Sequence, residues 1–376
     1  MSRQQTPKYI EIANELRQKI RNGVSAGEKL PTETMLMQQY RVSRHTVRQA
    51  LEQLVHERML VRIPGRGTFV ADGSVLEHAH SNNLIAVIMT YISDYIFPSI
   101  IRGIEQSLRE HSYNLLLLST QNQFELERRA LETAIAQDCC GIILEPVKST
   151  IPNPNLHLFQ QIYQRRLPLI LLHAEPPGFP PFHKILFDDL RGAEMLTTHL
   201  LDQGHRNIGG IFKVDDKQGL QRFKGYVRAL AQYHVDFNSD ALFLYHTESK
   251  DIVTDDYVRS VFEKQSNRPT AVVCYNDEIA VRLIKDLNAA GLSVPADVSV
   301  VGFDDSHLAL VSHPELTTIR HPKEKMGRLA ADQLLSIIQE PDSIVPGKVV
   351  LPAEIVIRSS SKQLTTPVKI HEITHN

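Results

Sequence analysis

Cysteine is scarce: Cys139, Cys140 and Cys274 are the only three in 376 residues. None forms a Cys-x-x-Cys pair and two are adjacent, a pattern that argues against a thiolate metal cluster and fits a reducing compartment. No apolar run approaches the ~20 residues a membrane helix needs. The N-terminal stretch MSRQQTPKYIEIANELRQK is polar and lacks the apolar segment of a secretory signal. The expectation is a soluble, cytoplasmic protein with no membrane partner. No Gly-x-x-x-x-Gly-Lys-[Ser/Thr] phosphate loop occurs, and the Gly65-x-Gly67 pair lacks the third glycine and following helix of a dinucleotide site. The adjacent carboxylates Asp188/Asp189 and Asp304/Asp305 would point in opposite directions along a strand, which is poor geometry for shared acid–base work. With 17 scattered histidines, the sequence is expected to carry no metal site, no cofactor and no catalytic activity.

A net charge of −2 hides an asymmetry. Residues 1–70 hold 12 Lys and Arg against 6 Asp and Glu, whereas the remainder holds 29 against 37. A basic head on an acidic body points to a polyanionic partner for the head. The head reads as three helices and a hairpin. Tyr9 to Arg21 places Ile10, Ala13, Leu16 and Ile20 near the helical period, and Asn22-Gly23 and Gly27 end it. A short helix from Thr32 to Tyr40 follows Pro31. Ser43 is placed to cap a longer helix from Arg44 to about Arg58, with Val47, Leu51, Leu54 and Val55 on one face. Residues 60–63 and 68–71 form strands around the turn Pro64-Gly65-Arg66-Gly67.

In a helix-turn-helix the N-terminal residues of the second helix meet base edges. Arg44, His45 and Arg48 occupy that place, with the two arginines one turn apart and suited to guanine O6 and N7. The glycines around Arg66 let backbone approach the sugar–phosphate wall, with Arg66 at the tip of a wing. One such head reads few base pairs, so a homodimer on a pseudo-palindromic double-stranded operator is expected.

Residues 72–83 have little periodicity and several turn formers, and read as a linker between residues 1–71 and 84–376. Beyond them, apolar segments at 84–92, 114–120, 141–147, 167–173, 184–189, 208–214, 241–246, 270–277 and 298–305 alternate with amphipathic stretches. Near-continuous apolar strands are buried on both faces, as in parallel sheets, so the body is expected to be a doubly wound α/β domain in two lobes. Its ligand crevice belongs at the C-terminal strand ends. Tyr91, Glu145, Asp188, Asp189, Asn276, Asp277, Asp304 and Asp305 fall there. Any one of the Asp or Asn residues could be a helix cap, but their repetition at one sheet edge suggests a polar site.

The stretch LPTETMLMQQYRVSRHTVRQALEQLVHERMLVRIPGRGTFVA resembles the winged helix of the GntR family. That resemblance implies that Glu33, Arg44, His45, Arg48 and the wing Gly65–Arg66–Gly67 touch DNA. The body is similar to the LacI/GalR family in NDEIAVRLIKDLNAAGLSVPADVSVVGFDDSHLA and PELTTIRHPKEKMGRLAADQLL, which implies a periplasmic-binding-protein-like fold. This pairing of head and body resembles the arabinose-responsive repressors of Gram-positive bacteria, implying repression released by L-arabinose. The wing departs from their Gln-Gly-Gly-Gly tip, so operator preference is expected to differ.

The resemblance implies that Arg222, Asn276 and Asp304 contact effector. Asp216 and Gln218, on the same helix entry, and Glu145, Tyr91 and Phe97 from the first lobe are further candidates. Carboxylates, amides and Arg suit sugar hydroxyls, and an aromatic ring covers the apolar sugar face. Two alternatives stay open: another sugar, or a phosphosugar held by Lys148, Lys213 and Arg222, acting through a repressor or an activator.

Overall fold

The computed structural model describes residues 8–21, 27–56, 59–63, 67–71, 83–263, 267–340 and 347–364. The chain divides into two compact units, residues 1–83 and 84–376. Almost all of the segment read as a linker, 72–82, lies outside the described residues.

The first unit contains α1 (Lys8–Arg21), α2 (Glu33–Tyr40), α3 (Arg44–His56), β1 (Leu60–Ile63) and β2 (Gly67–Val70). Caps set two of these helices. The Thr32 hydroxyl accepts from Met35 N at 3.3 Å, and the Ser43 hydroxyl accepts from Thr46 N at 3.3 Å. The apolar faces of the three helices meet in one core of Ile12, Ala13, Leu16, Leu36, Val47, Leu51 and Leu54. Each large side chain buried there contributes about 1.5–3 kcal/mol. The core takes Ile12 fully, while Ile20 packs only at its margin. β1 and β2 pair antiparallel with Leu60 opposite Val70 and Ile63 opposite Gly67. Residues 27–30 add an edge unseen in the sequence pattern: Leu30 N donates to Thr68 O at 2.8 Å and Val70 N to Glu28 O at 2.9 Å. Gly67 has φ +122°, and a Cβ there would lie 2.8 Å from the Lys29 side chain, so glycine is required.

The second unit holds two parallel sheets. The first has the order β13-β7-β6-β5-β3-β4, built from β3 (Leu84–Met89), β4 (Asn114–Ser119), β5 (Gly141–Leu144), β6 (Leu169–Leu172), β7 (His183–Phe187) and β13 (Lys348–Leu351). The second has the order β11-β10-β8-β9, from β8 (Ile208–Lys213), β9 (Leu242–Tyr245), β10 (Ala271–Cys274) and β11 (Ser299–Val301). α4 (Phe97–Glu110), α5 (Phe124–Ala136), α6 (Leu156–Gln164) and α12 (Lys323–Gln339) belong to the first lobe. α7 (Asp189–Asp202), α8 (Lys217–Gln232), α9 (Val253–Tyr257), α10 (Asp277–Ala289) and α11 (His307–Val311) belong to the second. All nine apolar segments form strands, because buried parallel strands need apolar residues on both faces.

The chain crosses between lobes three times: from β7 into α7, from β12 (Thr318–Arg320) into α12, and from β13 into β14 (Glu354–Val356). β12 and β14 pair antiparallel at the hinge, Thr318 opposite Val356. In the first lobe α4 and α12 touch backbone to backbone: a Cβ at Gly327 would stand 2.0 Å from Ile100 O. The three cysteines are buried and unpaired. Among the described residues no helix is long and apolar enough to cross a membrane.

Candidate functional site

The C-terminal ends of both sheets face one cavity of about 450 Å³. All eight residues singled out for effector contact line it: Tyr91, Phe97, Glu145, Asp216, Gln218, Arg222, Asn276 and Asp304. Two of them also cap helices. Asp216 Oδ1 accepts from Gly219 N at 2.7 Å at the start of α8, and Asn276 Oδ1 accepts from Ile279 N at 3.0 Å at the start of α10. Capping and facing the cavity are therefore not alternatives here: the capping oxygen serves the helix and leaves Oδ2 of Asp216 and the amide nitrogen of Asn276 for the site. Asp188, by contrast, caps α7 through Arg191 N at 3.1 Å and does not line the cavity.

Arg222 occupies the floor of the second lobe. Its Nε donates to Asp189 Oδ1 at 2.9 Å, one terminal nitrogen to Tyr275 O at 2.7 Å, and the other to Asp304 Oδ1 at 3.1 Å. The guanidinium carbon stands 3.7 Å from the Phe303 ring centre. Burial pushes Asp189 up to about 6 even though the adjacent Arg222 opposes the shift. Lys213 donates to Asp216 Oδ2 at 3.0 Å and lies 3.5 Å from Asp215. Burial disfavours its charge, but Asp216 and Asp215 outweigh that and raise its pKa. Lys250 pairs with Glu278 at 3.0 Å, and Lys148 pairs with Glu248. Each cation proposed from sequence as an anion holder is thus already matched to a carboxylate.

Several residues that the sequence reading passed over also belong to the site. Tyr95 from the first lobe donates to Asp304 Oδ2 at 2.6 Å in the second, and its oxygen accepts from Asp277 N at 3.1 Å. Tyr275 donates to Asp216 Oδ2 at 2.7 Å. His173 and His321 line the cavity with ring centres 5.2 Å apart. Tyr91 and Phe97 form an apolar wall, their rings 5.6 Å apart. More contacts cross the mouth of the cleft: Asn122 Nδ2 donates to Thr247 Oγ1 at 2.7 Å, Lys217 N to Ser149 Oγ at 2.9 Å, and Thr150 Oγ1 to Val214 O at 2.9 Å. The lobes thus meet around the cavity rather than standing open.

In the first unit Glu33 gathers basic residues of α3 and β1. Arg44 Nε donates to it at 2.9 Å and Arg48 Nε at 3.1 Å, with Arg62 at 3.8 Å. The Arg44 hydrogen bond, with help from Arg48, holds the Glu33 carboxyl below its usual range against a small burial effect. Arg44, His45 and Arg48 remain exposed at the start of α3. Gly67 is described at the start of β2, whereas Gly65 and Arg66 lie outside the described residues.

The sequence does contain one His-Glu-x-x-His run, His371 to His375, and one Gly-x-Ser-x-Gly run, Gly23 to Gly27. The first lies outside the described residues, as does Ser25 of the second, which follows helix α1 rather than the strand that a nucleophile elbow requires. Among the described residues no three His, Cys, Asp or Glu gather as a metal site.

Residues 8–70 match the model of bacterial regulatory proteins of the gntR family, and residues 197–361 that of a periplasmic-binding-protein-like domain. The chain is 40% identical to an arabinose metabolism transcriptional repressor of Geobacillus stearothermophilus, over 97% of this chain and 100% of that one. It is 39% identical to one of Halalkalibacterium halodurans, over 95% and 97%. Among solved structures, it is similar to a LacI-family regulator from Enterococcus faecium with bound ribose: 25% identical, TM-score 0.63, covering 75% of this chain and 99% of that one. The regulator CelR in complex with cellobiose shares the fold at 22% identity and TM-score 0.66, over 85% and 92%.

Proposed function

We propose, since the chain belongs to the family of arabinose metabolism transcriptional repressors, that its winged helix holds operator DNA and that L-arabinose in the interlobe cavity releases it. The protein is a sugar-sensing transcriptional repressor by family and domain architecture. The arabinose assignment rests on the relatives' names together with the chemistry of the cavity. The observation that carries it is the pairing of Lys213, Arg222 and Lys250 with carboxylates, which leaves the lining polar but without an unmatched cation for a phosphate. A neutral sugar suits that lining, with its hydroxyls toward Arg222, Asn276, Asp304, Asp216 and Gln218, and Glu145 behind them. Tyr91 and Phe97 would cover its apolar face.

A ligand gripped by both lobes favours their closed arrangement, which supplies the differential affinity that allostery needs. The three crossings between the lobes are the hinge. Arg44, His45 and Arg48, oriented by Glu33, would read base edges, and the wing Gly65–Arg66–Gly67 would follow the backbone. The working form is a cytoplasmic homodimer on a pseudo-palindromic site, a binding protein without a catalytic step. Operator DNA selected by the protein from a randomised pool, titrated by fluorescence anisotropy, tests the reading. L-Arabinose should weaken binding, whereas ribose 5-phosphate should not. Release by the phosphosugar alone would overturn the effector assignment, and tighter DNA binding with L-arabinose would overturn repression by release.

A further inference from the structure

We infer that His173 and His321 form the part of the cavity that reads the hydroxyl pattern of the ligand, with Glu145 acting on the ligand through His173 as a positioning residue. The inference deepens the sugar-binding reading and rests on it. Four side chains lining the cavity carry buried polar atoms without a protein partner: His173 Nε2, both ring nitrogens of His321, Gln218 Oε1 and Ser306 Oγ. Buried polar atoms left unpaired cost free energy, so the site is built for a ligand that supplies both donors and acceptors. Hydroxyl groups do both. A phosphate or carboxylate ligand would only accept.

His173 is held unusually firmly. It follows β6 with φ +62°, in the left-handed region, and Ala174 N donates back to Leu172 O at 2.7 Å, closing a three-residue turn. Non-glycine residues adopt such backbone at a cost, and it recurs where a side chain must be aimed. Other residues that line the cavity share the feature: Tyr95 at φ +60°, Asn122 at φ +55° and Asp304 at φ +102°. On its far side, His173 Nδ1 lies 2.8 Å from Glu145 Oε1. Glu145 Oε2 accepts from Thr90 N at 3.2 Å and from the Thr90 hydroxyl. A carboxylate only accepts, so Nδ1 carries a proton. Burial disfavours the charged ring, but Glu145 outweighs it and raises the His173 pKa. Nε2 therefore meets the cavity as an acceptor when the ring is neutral and as a donor when it is charged. Both Glu145 oxygens are engaged in this relay, which is why its part is to orient the ring.

His321 makes the complementary half. It sits at the hinge between β12 and α12, packed on Phe187 with ring centres 4.8 Å apart. Burial, with His173 and Lys323 nearby, holds it far below the ordinary imidazole range and therefore neutral. A neutral imidazole presents one donor and one acceptor, whichever tautomer forms. His173 lies in the first lobe and His321 at a crossing between lobes. A ligand bonded to both therefore meets the surface that moves when the lobes rotate.

Calorimetry on the full chain with L-arabinose tests this, beside operator anisotropy without sugar. His321→Phe keeps the ring and removes both nitrogens. It should weaken L-arabinose binding about tenfold or more, with operator affinity unchanged and a melting temperature no lower than wild type. At His173 the amide of Gln reaches the Nε2 position and that of Asn the Nδ1 position. His173→Gln should therefore bind L-arabinose more tightly than His173→Asn. Normal binding by H321F, or an Asn variant that binds as well as or better than Gln, overturns the inference. Should H321F melt well below wild type, His321→Leu carries the same test. If wild type binds D-ribose, D-xylose or D-galactose instead, the arabinose assignment fails, and the same variants decide the histidine inference with that sugar. Wild type that binds none of the four overturns both.

Discussion

Arg222 Nε meets Asp189 Oδ1 at 2.9 Å with both side chains about 95% removed from solvent. The same guanidinium also serves Asp304 at 3.1 Å, so one cation neutralises two buried carboxylates. Removing a single partner from such a network leaves charge uncompensated, at a cost of about 3–5 kcal/mol. Arg222→Ala should lower stability by that order in chemical denaturation and abolish the arabinose response. Arg222→Lys, which keeps the charge but cannot fork to both carboxylates, should fold better and still respond poorly. Wild-type stability in R222A would show that the carboxylates are neutral without it.

Asp277 is fully buried, accepting from Ser306 N at 2.7 Å and from the Thr318 hydroxyl at 2.6 Å. Burial, with Asp304 nearby, pushes it up to about 7 from an ordinary 3.8. The folded state then binds the proton more tightly than the unfolded chain. Its contribution is full below 3.8 and is lost as pH rises to about 7, at up to about 1.4 kcal/mol per pH unit. Asp277→Asn retains a matching set, its oxygen facing Ser306 N and its amide facing Thr318 Oγ1. Denaturation at pH 5 to 8 should show the variant gaining on wild type through this window and levelling off above it. A constant difference would mean that Asp277 does not titrate there.

Much of this fold is legible in the sequence. The nine strands announce themselves because their segments are almost continuously apolar, and the strand-end polar residues from Tyr91 to Asp304 follow from the fold. Three short strands did not. β12, β13 and β14 are three or four residues long, and their pairing partners lie far away in sequence, as with Thr318 and Val356. Length and local pattern carry no signal for such pairings. His321 was hidden for the same reason: the hinge places it in the cavity, whereas a lone histidine in a mixed segment reads as a loop residue. His173 ends an apolar strand, and the signal that could have found it is that terminal position, shared with Glu145.

Glu33 holds Arg44 and Arg48 within hydrogen-bonding distance of one carboxylate. The exposed ion pairs add little to stability, and the role proposed for the arrangement is in DNA binding. Arg44→Ala or Arg48→Ala should each cost about 1–3 kcal/mol of operator affinity and relax preference at one base position. Glu33→Ala removes a negative charge from the interface and frees both arginines. It should raise affinity for random DNA and steepen the salt dependence by about one counterion, so the ratio of specific to non-specific binding falls. Anisotropy with selected and scrambled duplexes across a salt series measures both. An unchanged ratio in E33A would remove Glu33 from recognition.

A short polar chain closes the mouth of the cleft. Lys148 N donates to Asn122 Oδ1 at 2.9 Å, Asn122 Nδ2 to Thr247 Oγ1 at 2.7 Å, and the Thr247 hydroxyl to Asp215 at 2.6 Å. Asn122 belongs to the first lobe, Thr247 and Asp215 to the second, and only the middle bond spans them. It forms when the lobes meet and is lost when they part, so its free energy counts toward closure alone. Thr247→Val keeps the shape and removes the acceptor for Asn122, which should cost about 0.5–1.5 kcal/mol of closure. It also removes the donor to Asp215, a bond within the second lobe whose loss lowers stability in open and closed forms alike. Because sugar binds the closed form, its apparent affinity should fall by the same amount, a few-fold up to about tenfold. Operator affinity without sugar should hold or rise slightly, since the DNA-bound form is favoured once closure is penalised. The two effects have one origin, and linkage requires that saturating L-arabinose still release the operator, only at higher concentration. Calorimetry and an anisotropy titration on the same T247V sample check this together. Equal loss of sugar and operator affinity would indicate general damage instead, and an unchanged release midpoint would mean that the lobes do not part at this bond.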